Sequence, residues 1–107
     1  MSYSVVFGAT ARFQLGNIRD YIASAADPGT ASRFVDAIVD RCLGLETFPH
    51  RGTGRDDLRP GLRTIGFRRR VVIAFDVEDG TQQVTVHGVF YGGQDLDAAF
   101  SDEDLSS

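Results

Sequence analysis

The chain has no lysine, a single cysteine and no apolar run long enough to span a membrane. Without lysine there is no ε-amine to act as general acid, nucleophile or Schiff-base former. All positive side-chain charge except histidine therefore comes from arginine, 11 residues in all. One cysteine, Cys42, excludes an internal disulfide and fits a reducing compartment. Only His50 and His87 accompany it as soft or borderline ligands, at spacings that suit no transition-metal site, so no metal or other cofactor is expected. The opening MSYSVVFGATARF lacks the basic start and apolar core of a secretory signal, which makes the cytoplasm the expected location.

At 107 residues, 42% hydrophobic and 24% charged, the chain reads as one ordinary globular domain. A chain of this size hides roughly 65% of the surface its unfolded form exposes, enough to fold without staples. The net charge of −4 conceals a segregation. Residues 51–70 hold seven arginines against two acids, or +5, and the remainder carries −9. An acidic protein with one basic segment is poorly suited to coating nucleic acid, which requires many neutralised phosphates. A local site for an acidic partner fits better, and no sequence-specific nucleic-acid binding is expected.

Hydrophobic spacing predicts an α+β order. Tyr3 to Phe7 is short and β-branched, hence a strand. From about Thr10, the residues Ala11, Leu15, Ile18 and Ile22 share one helical face. Asp27-Pro28-Gly29 breaks this helix and starts another, with Asp27 as cap and Pro28 at the first position. Ala31, Phe34, Ile38, Cys42 and Leu45 form the second apolar face, and Phe48-Pro49 ends it. The two helices make a helical hairpin. After a polar loop, His50 to Gly61, three strand-like segments follow: Leu62–Phe67, Arg70–Val77 and Gln83–Tyr91, the last two joined at Asp79-Gly80. They predict a three-stranded antiparallel sheet. Val71 to Phe75 is apolar throughout, so this strand should lie centrally with cover on both faces. Val84, Val86 and Phe90 alternate with Thr85, His87 and Tyr91, as in a half-buried strand. The domain is expected over residues 1–95, and residues 96–107 form an acidic tail.

Several residue sets invite a chemical reading. Period two would put His87 and Tyr91 on one face of the last strand, where they could act as an acid–base pair. The plainer assignment makes His87 a partly exposed sheet residue and Tyr91 an anchor at the core edge, and it is preferred. Asp56-Asp57 offers two carboxylates to a divalent ion but is flanked by Arg55 and Arg59, which favours a solvated loop pair. Gly92-Gly93 opens no helix and reads as a turn rather than a phosphate loop. Cys42 lies on an apolar helical face and reads as a small core residue. The densest signal is basic: Arg59 and Arg63, then Arg68-Arg69-Arg70 entering the central strand. Bidentate arginine suits carboxylates on a docking peptide, so these five and Tyr91 are the candidate partner-binding residues. Arg68 and Arg69 could equally decorate a solvated turn, which places Arg59 and Arg63 first.

The strings ARFQLGNIRDYIA, ASRFVDAIVDRC ending in FPHRG, RDDLRPGLR, RRVVIAFDV and VFYGGQD, in this order, resemble the RelE/ParE superfamily of toxins, and the ParE branch in particular. They span the chain almost to Asp95, and their order makes the match specific. The resemblance implies a compact domain with a helical hairpin on an antiparallel sheet. It also implies the toxin of a type II toxin–antitoxin (plasmid stabilisation) system, non-enzymatic, poisoning DNA gyrase. Such a toxin would be held inactive by a ParD-like ribbon-helix-helix antitoxin. The RelE branch cuts messenger RNA in the ribosome, using lysines and arginines plus a tyrosine or histidine near the last strand. Here the lysines are missing, and the arginine of that branch near the start of the central strand falls at Val72. A RelE-like endoribonuclease is thus the alternative, with a toxin fold that keeps only its partner as a third reading.

Overall fold

The structure, a computed structural model, describes residues 2–92. Strand β1 (Ser4–Phe7) leads into helix α1 (Ala9–Ala25), helix α2 (Pro28–Leu43) and a short 3-10 turn, Gly44–Glu46. Then come β2 (Thr53–Gly54), β3 (Arg63–Phe67), β4 (Val71–Glu78) and β5 (Gln83–Tyr91). The strands form one sheet in the order β1-β5-β4-β3-β2. The α+β class and the antiparallel β3–β4–β5 unit follow the sequence expectation. Two strands extend that unit. β1 pairs parallel with β5, the helical hairpin serving as crossover, and the two-residue β2 pairs with β3 inside a segment that reads as loop. Two residues, threonine and glycine, are too few to show a period.

The helices form where their spacing and caps dictate. α1 buries Ala11, Leu15, Ile18 and Ile22. At the start of α2 the Asp27 carboxylate accepts from the Thr30 amide and the Thr30 hydroxyl, each at 2.8 Å. These bonds hold the Asp27 carboxyl below its usual pKa. α2 buries Ala31, Val35, Ile38 and Cys42, and Leu45 follows in the 3-10 turn. Val35 rather than Phe34 takes the central position. Phe34 sits half-buried at the margin, against the rings of Phe67 and Tyr91.

β4 is the middle strand and is covered on both faces, as its apolar run requires. Val71, Ile73 and Phe75 lie under the helices, and Ala74 and Val72 pack with Leu62, Phe90 and Leu58 on the other side. The alternation expected along β5 fails at one point. Ala74 faces Gly88 but Phe75 faces Val86, so His87 is an extra residue, a β-bulge. Before it, Val84 and Val86 face the helices; beyond it, Val89 and Tyr91 do. Phe90 therefore turns to the opposite face, with Leu62 and Ala74. Parity of sequence cannot carry across an inserted residue, and only Gly88 hinted at the irregularity. The β4–β5 turn is also longer than Asp79-Gly80, because Glu78 pairs with Gln83 and Gln82 adopts φ 54°.

Two glycines test this packing from opposite directions. Gly52 has φ 83°, and a Cβ there would run into the Thr64 carbonyl and the Ile65 side chain. Gly52→Ala should lower unfolding free energy by about 2–4 kcal/mol in urea titrations. Gly16, mid-α1 with nothing within 4 Å, should give the reverse, Gly16→Ala raising stability by about 0.5–1 kcal/mol. Burial pushes the Cys42 thiol up to about 12. It should resist a thiol reagent at pH 8 until denaturant is added, and rapid native labelling would contradict its place in the core.

Candidate functional site

The candidate arginines fall at the two ends of β3 rather than along one rim. Arg63 starts the strand, and by its pairing opposite Phe75 it points to the helix side. Its Nε donates to the Arg51 carbonyl at 3.0 Å, tying down the chain before β2. Arg59 belongs to a folded turn in which the Arg55 amide donates to the Leu62 carbonyl at 2.7 Å and the Leu62 amide to the Arg59 carbonyl at 3.0 Å. Arg55 forks onto both oxygens of Asp57, at 3.0 Å each, and Asp56 accepts from the Gly61 amide at 2.8 Å. The first of these contacts holds the Asp57 carboxyl below its ordinary range. The acidic pair is thus occupied by the loop's own donors, as a solvated loop pair should be. Arg55 and Arg59 both have further partners.

Arg68, Arg69 and Arg70 sit at the other end, roughly 15 Å away at the usual rise per strand residue. Arg68 and Arg69 are the two central residues of the β3–β4 hairpin turn, at φ 51° and 61°, closed by the Arg70 amide donating to the Phe67 carbonyl at 3.3 Å. Positive φ at both positions defines a type I′ turn, where Asn-Gly is the usual choice. Two side-chain-bearing residues there cost roughly 1–2 kcal/mol each. The Arg68 guanidinium lies 4.8 Å above the Phe67 ring and 6.0 Å from that of Phe34. All three arginines are exposed. Among the described residues none has a carboxylate within ion-pair distance.

Tyr91 adjoins this turn. It pairs with Val71, and the next amide, Gly92, donates to the Arg70 carbonyl at 2.8 Å. Its ring contacts Tyr21 at 5.8 Å and Phe34 at 5.7 Å. Between α1 and this end of β5 lies a cleft of about 380 Å³ lined by Gln14, Asn17, Ile18, Tyr21, Tyr91 and Gly92. β1 ends opposite Val86, so α1 stands beside the rest of β5, and Gln14 Oε1 accepts from the Val89 amide at 2.6 Å. Tyr91, one of the candidates from the sequence, lines this cleft, and the α1 wall opposite it was not expected. Its one visible sign was Asn17 and Tyr21 at a spacing of four, of which Tyr21 is large and exposed.

The bulge separates His87 from Tyr91. His87 Nε2 lies 2.8 Å from Asp76 Oδ2, and Asp76 sits between Phe75 and Val77, which both face the helices. His87 is thus on the open face of the sheet and Tyr91 on the helix face. They cannot meet at one substrate, and the expectation of a shared face is overturned. The other histidine enters a contact that sequence reading missed: His50 Nε2 and Tyr3 OH each lie 2.8 Å from Asp79 Oδ1. Bonds from Tyr3 and His50 hold the Asp79 carboxyl low, and the Asp79 bond raises the Tyr3 hydroxyl. Tyr3 and Asp79 are 76 positions apart, beyond any local signal. Among the described residues no cluster of three metal-ligating side chains occurs. The glycine pair is seen only as far as Gly92, a turn residue at φ 69°; Gly93 and the acidic tail lie outside the described residues.

Solved structures of the same fold include the chromosomal ParDE toxin–antitoxin system of P. aeruginosa (TM-score 0.72, 23% identity, covering 84% of this chain and 96% of that one). The RelBE2 toxin–antitoxin complex of M. tuberculosis matches at TM-score 0.65 and 22% identity, over 88% and 95% of the two chains. The isolated RelE toxin of E. coli matches at TM-score 0.63 and 13% identity, over 96% and 98%. At these identities the likeness establishes the fold alone. No curated protein matches the sequence. The profile of the ParE toxin of the type II toxin–antitoxin system parDE matches residues 5–96, most of the chain, and the chain belongs to that family.

Proposed function

We propose that this ParE-family toxin acts in the cytoplasm by binding protein rather than by catalysis. Its target is DNA gyrase, and a ParD-like ribbon-helix-helix antitoxin neutralises it. The observation that carries the reading is the separation of His87 from Tyr91 by the bulge, in a chain without lysine. Guanidinium stays protonated and transfers protons poorly, so the arginines do not replace a lost acid or base. What the surface offers instead is a cleft lined by the exposed Tyr21 and the half-buried Tyr91, beside arginines that have no carboxylate among the described residues, the chemistry of a protein contact. An antitoxin segment ordering on this surface would set apolar side chains against the cleft and acids against arginine. The toxin–antitoxin pairs seen in the P. aeruginosa and M. tuberculosis structures support an antitoxin of some kind.

One observation favours a second reading. Asp76 orients His87 on the open face of the sheet, and a carboxylate-held imidazole is a competent proton-transfer group. A RelE-like ribonuclease would be built there.

Expression of the chain alone separates the two. Growth arrest with induction of the DNA-damage response and gyrase-trapped DNA breaks is expected. Immediate loss of translation over intact chromosomes would reject the gyrase reading. A further measurement addresses the residues themselves. His87→Gln should leave toxicity intact, and Tyr91→Phe should reduce stability by at most about 1–2 kcal/mol, the worth of a single hydrogen bond. Loss of toxicity in His87→Gln, with unchanged circular dichroism and intact chromosomes, would return the case to the nuclease.

A further inference from the structure

We propose that the Arg68–Arg70 turn and the cleft between α1 and β5 form one docking site for an acidic peptide segment with an aromatic anchor. The proposal deepens the toxin reading, on whose antitoxin it rests for a natural partner, but its chemistry is independent of gyrase. It reverses the ranking expected from sequence, which placed Arg59 and Arg63 first.

Continuity comes from the rings. From the cleft, Tyr21 touches Tyr91, Tyr91 touches Phe34, Phe34 touches Phe67, and Arg68 lies over Phe67. The cleft therefore opens directly onto the cationic turn. Tyr21 is 61% exposed, so much of its ring faces solvent even with Tyr91 against it.

Charge identifies the occupant. Arg63 is tied to the Arg51 carbonyl and Arg59 has partners of its own, whereas the turn arginines have no carboxylate among the described residues. Outside residues 51–70 the chain carries −9, so an anionic ligand finds little other attraction. The turn backbone adds a third argument. Local folding favours Asn-Gly in a type I′ turn, yet arginine occupies both left-handed positions. Arginine there does not serve the hairpin and is accounted for by what the side chains bind. A peptide is favoured over single-stranded nucleic acid because the rings meet edge-on or tilted, at 80° for Phe34–Tyr91 and 56° for Tyr21–Tyr91, and offer no stacking platform. Arg68 itself is held by its own aromatic neighbours, so a carboxylate meets a partly ordered fork.

The test uses the full chain, labelled with ¹⁵N and titrated with a synthetic peptide, Glu-Glu-Phe-Glu-Glu. Shifts are expected at Arg68 to Arg70, Tyr91 and Tyr21, with at least ten-fold weaker binding by the uncharged Gln-Gln-Phe-Gln-Gln. The double variant Arg68→Asn, Arg69→Gly should lose at least ten-fold in affinity while its melting temperature holds or rises. Arg59→Ala should bind within about two-fold of the parent. Equal response to the uncharged peptide, shifts confined elsewhere, or undiminished binding by the double variant would overturn the proposal. So would tighter binding of a ten-nucleotide oligo-dT. A peptide of residues 93–107 that outcompetes the probe would reassign the occupant to this chain's own end and overturn it too. No gyrase or antitoxin enters the titration, so its failure leaves the toxin reading standing, and the reverse holds.

Discussion

The inserted residue at His87 determines where the last strand points its side chains. Up to Val86, β5 presents valines to the helices; one residue of slippage then moves Val89 and Tyr91 to that side and Phe90 to the other. The consequences are structural on both faces. Phe90 completes the small cluster with Leu62 and Ala74, without which β4 would be covered on one side only. Tyr91 reaches Phe34 and Tyr21, which closes the aromatic margin of the cleft. A straight strand would have put His87 and Tyr91 on one face, two steps apart on either side of Val89. The bulge parts a possible catalytic pair and sets Tyr91 beside the cleft instead.

The arginines divide by the same geometry. Those at the start of β3 and in the loop before it hold the fold: Arg63 fixes the chain at Arg51, and Arg55 closes on Asp57. Those at the far end project from a strained turn into solvent. Their proximity in sequence suggested one rim, but a strand of five residues stands between the two groups. Charge density along a chain locates cations only to within an element; hydrogen bonds decide which of them remain available.

How much was legible follows from how local each signal is. Both helices, the Asp27 cap and the doubly covered central strand were readable because period, cap chemistry and apolar runs act within a few residues. The short β2, the parallel placement of β1 and the bulge were not, since each depends on pairing across distant segments. Val35 displaced Phe34 from the centre of α2 for a related reason. Both fit a helical face, and only the packed neighbours choose between them. For the site, residue types were legible and their grouping was not. Tyr91 was found, but its companions Gln14, Asn17 and Tyr21 come from a helix some seventy positions earlier.

The same separation of roles bears on how binding energy and stability are shared within the hairpin. Residues under the helices, such as Phe75 and Ile73, act through burial, and their truncation would destabilise the domain by several kcal/mol whatever the protein binds. The turn lies beyond them and contributes one backbone hydrogen bond, a cation over a ring and two unfavourable dihedrals. Its net worth to folding is near zero or negative. Substitution at the turn therefore leaves the core little changed, which is the condition under which a surface contact there could vary while the fold persists. The hairpin tip is thus the part of the sheet whose side chains can change at least cost to stability.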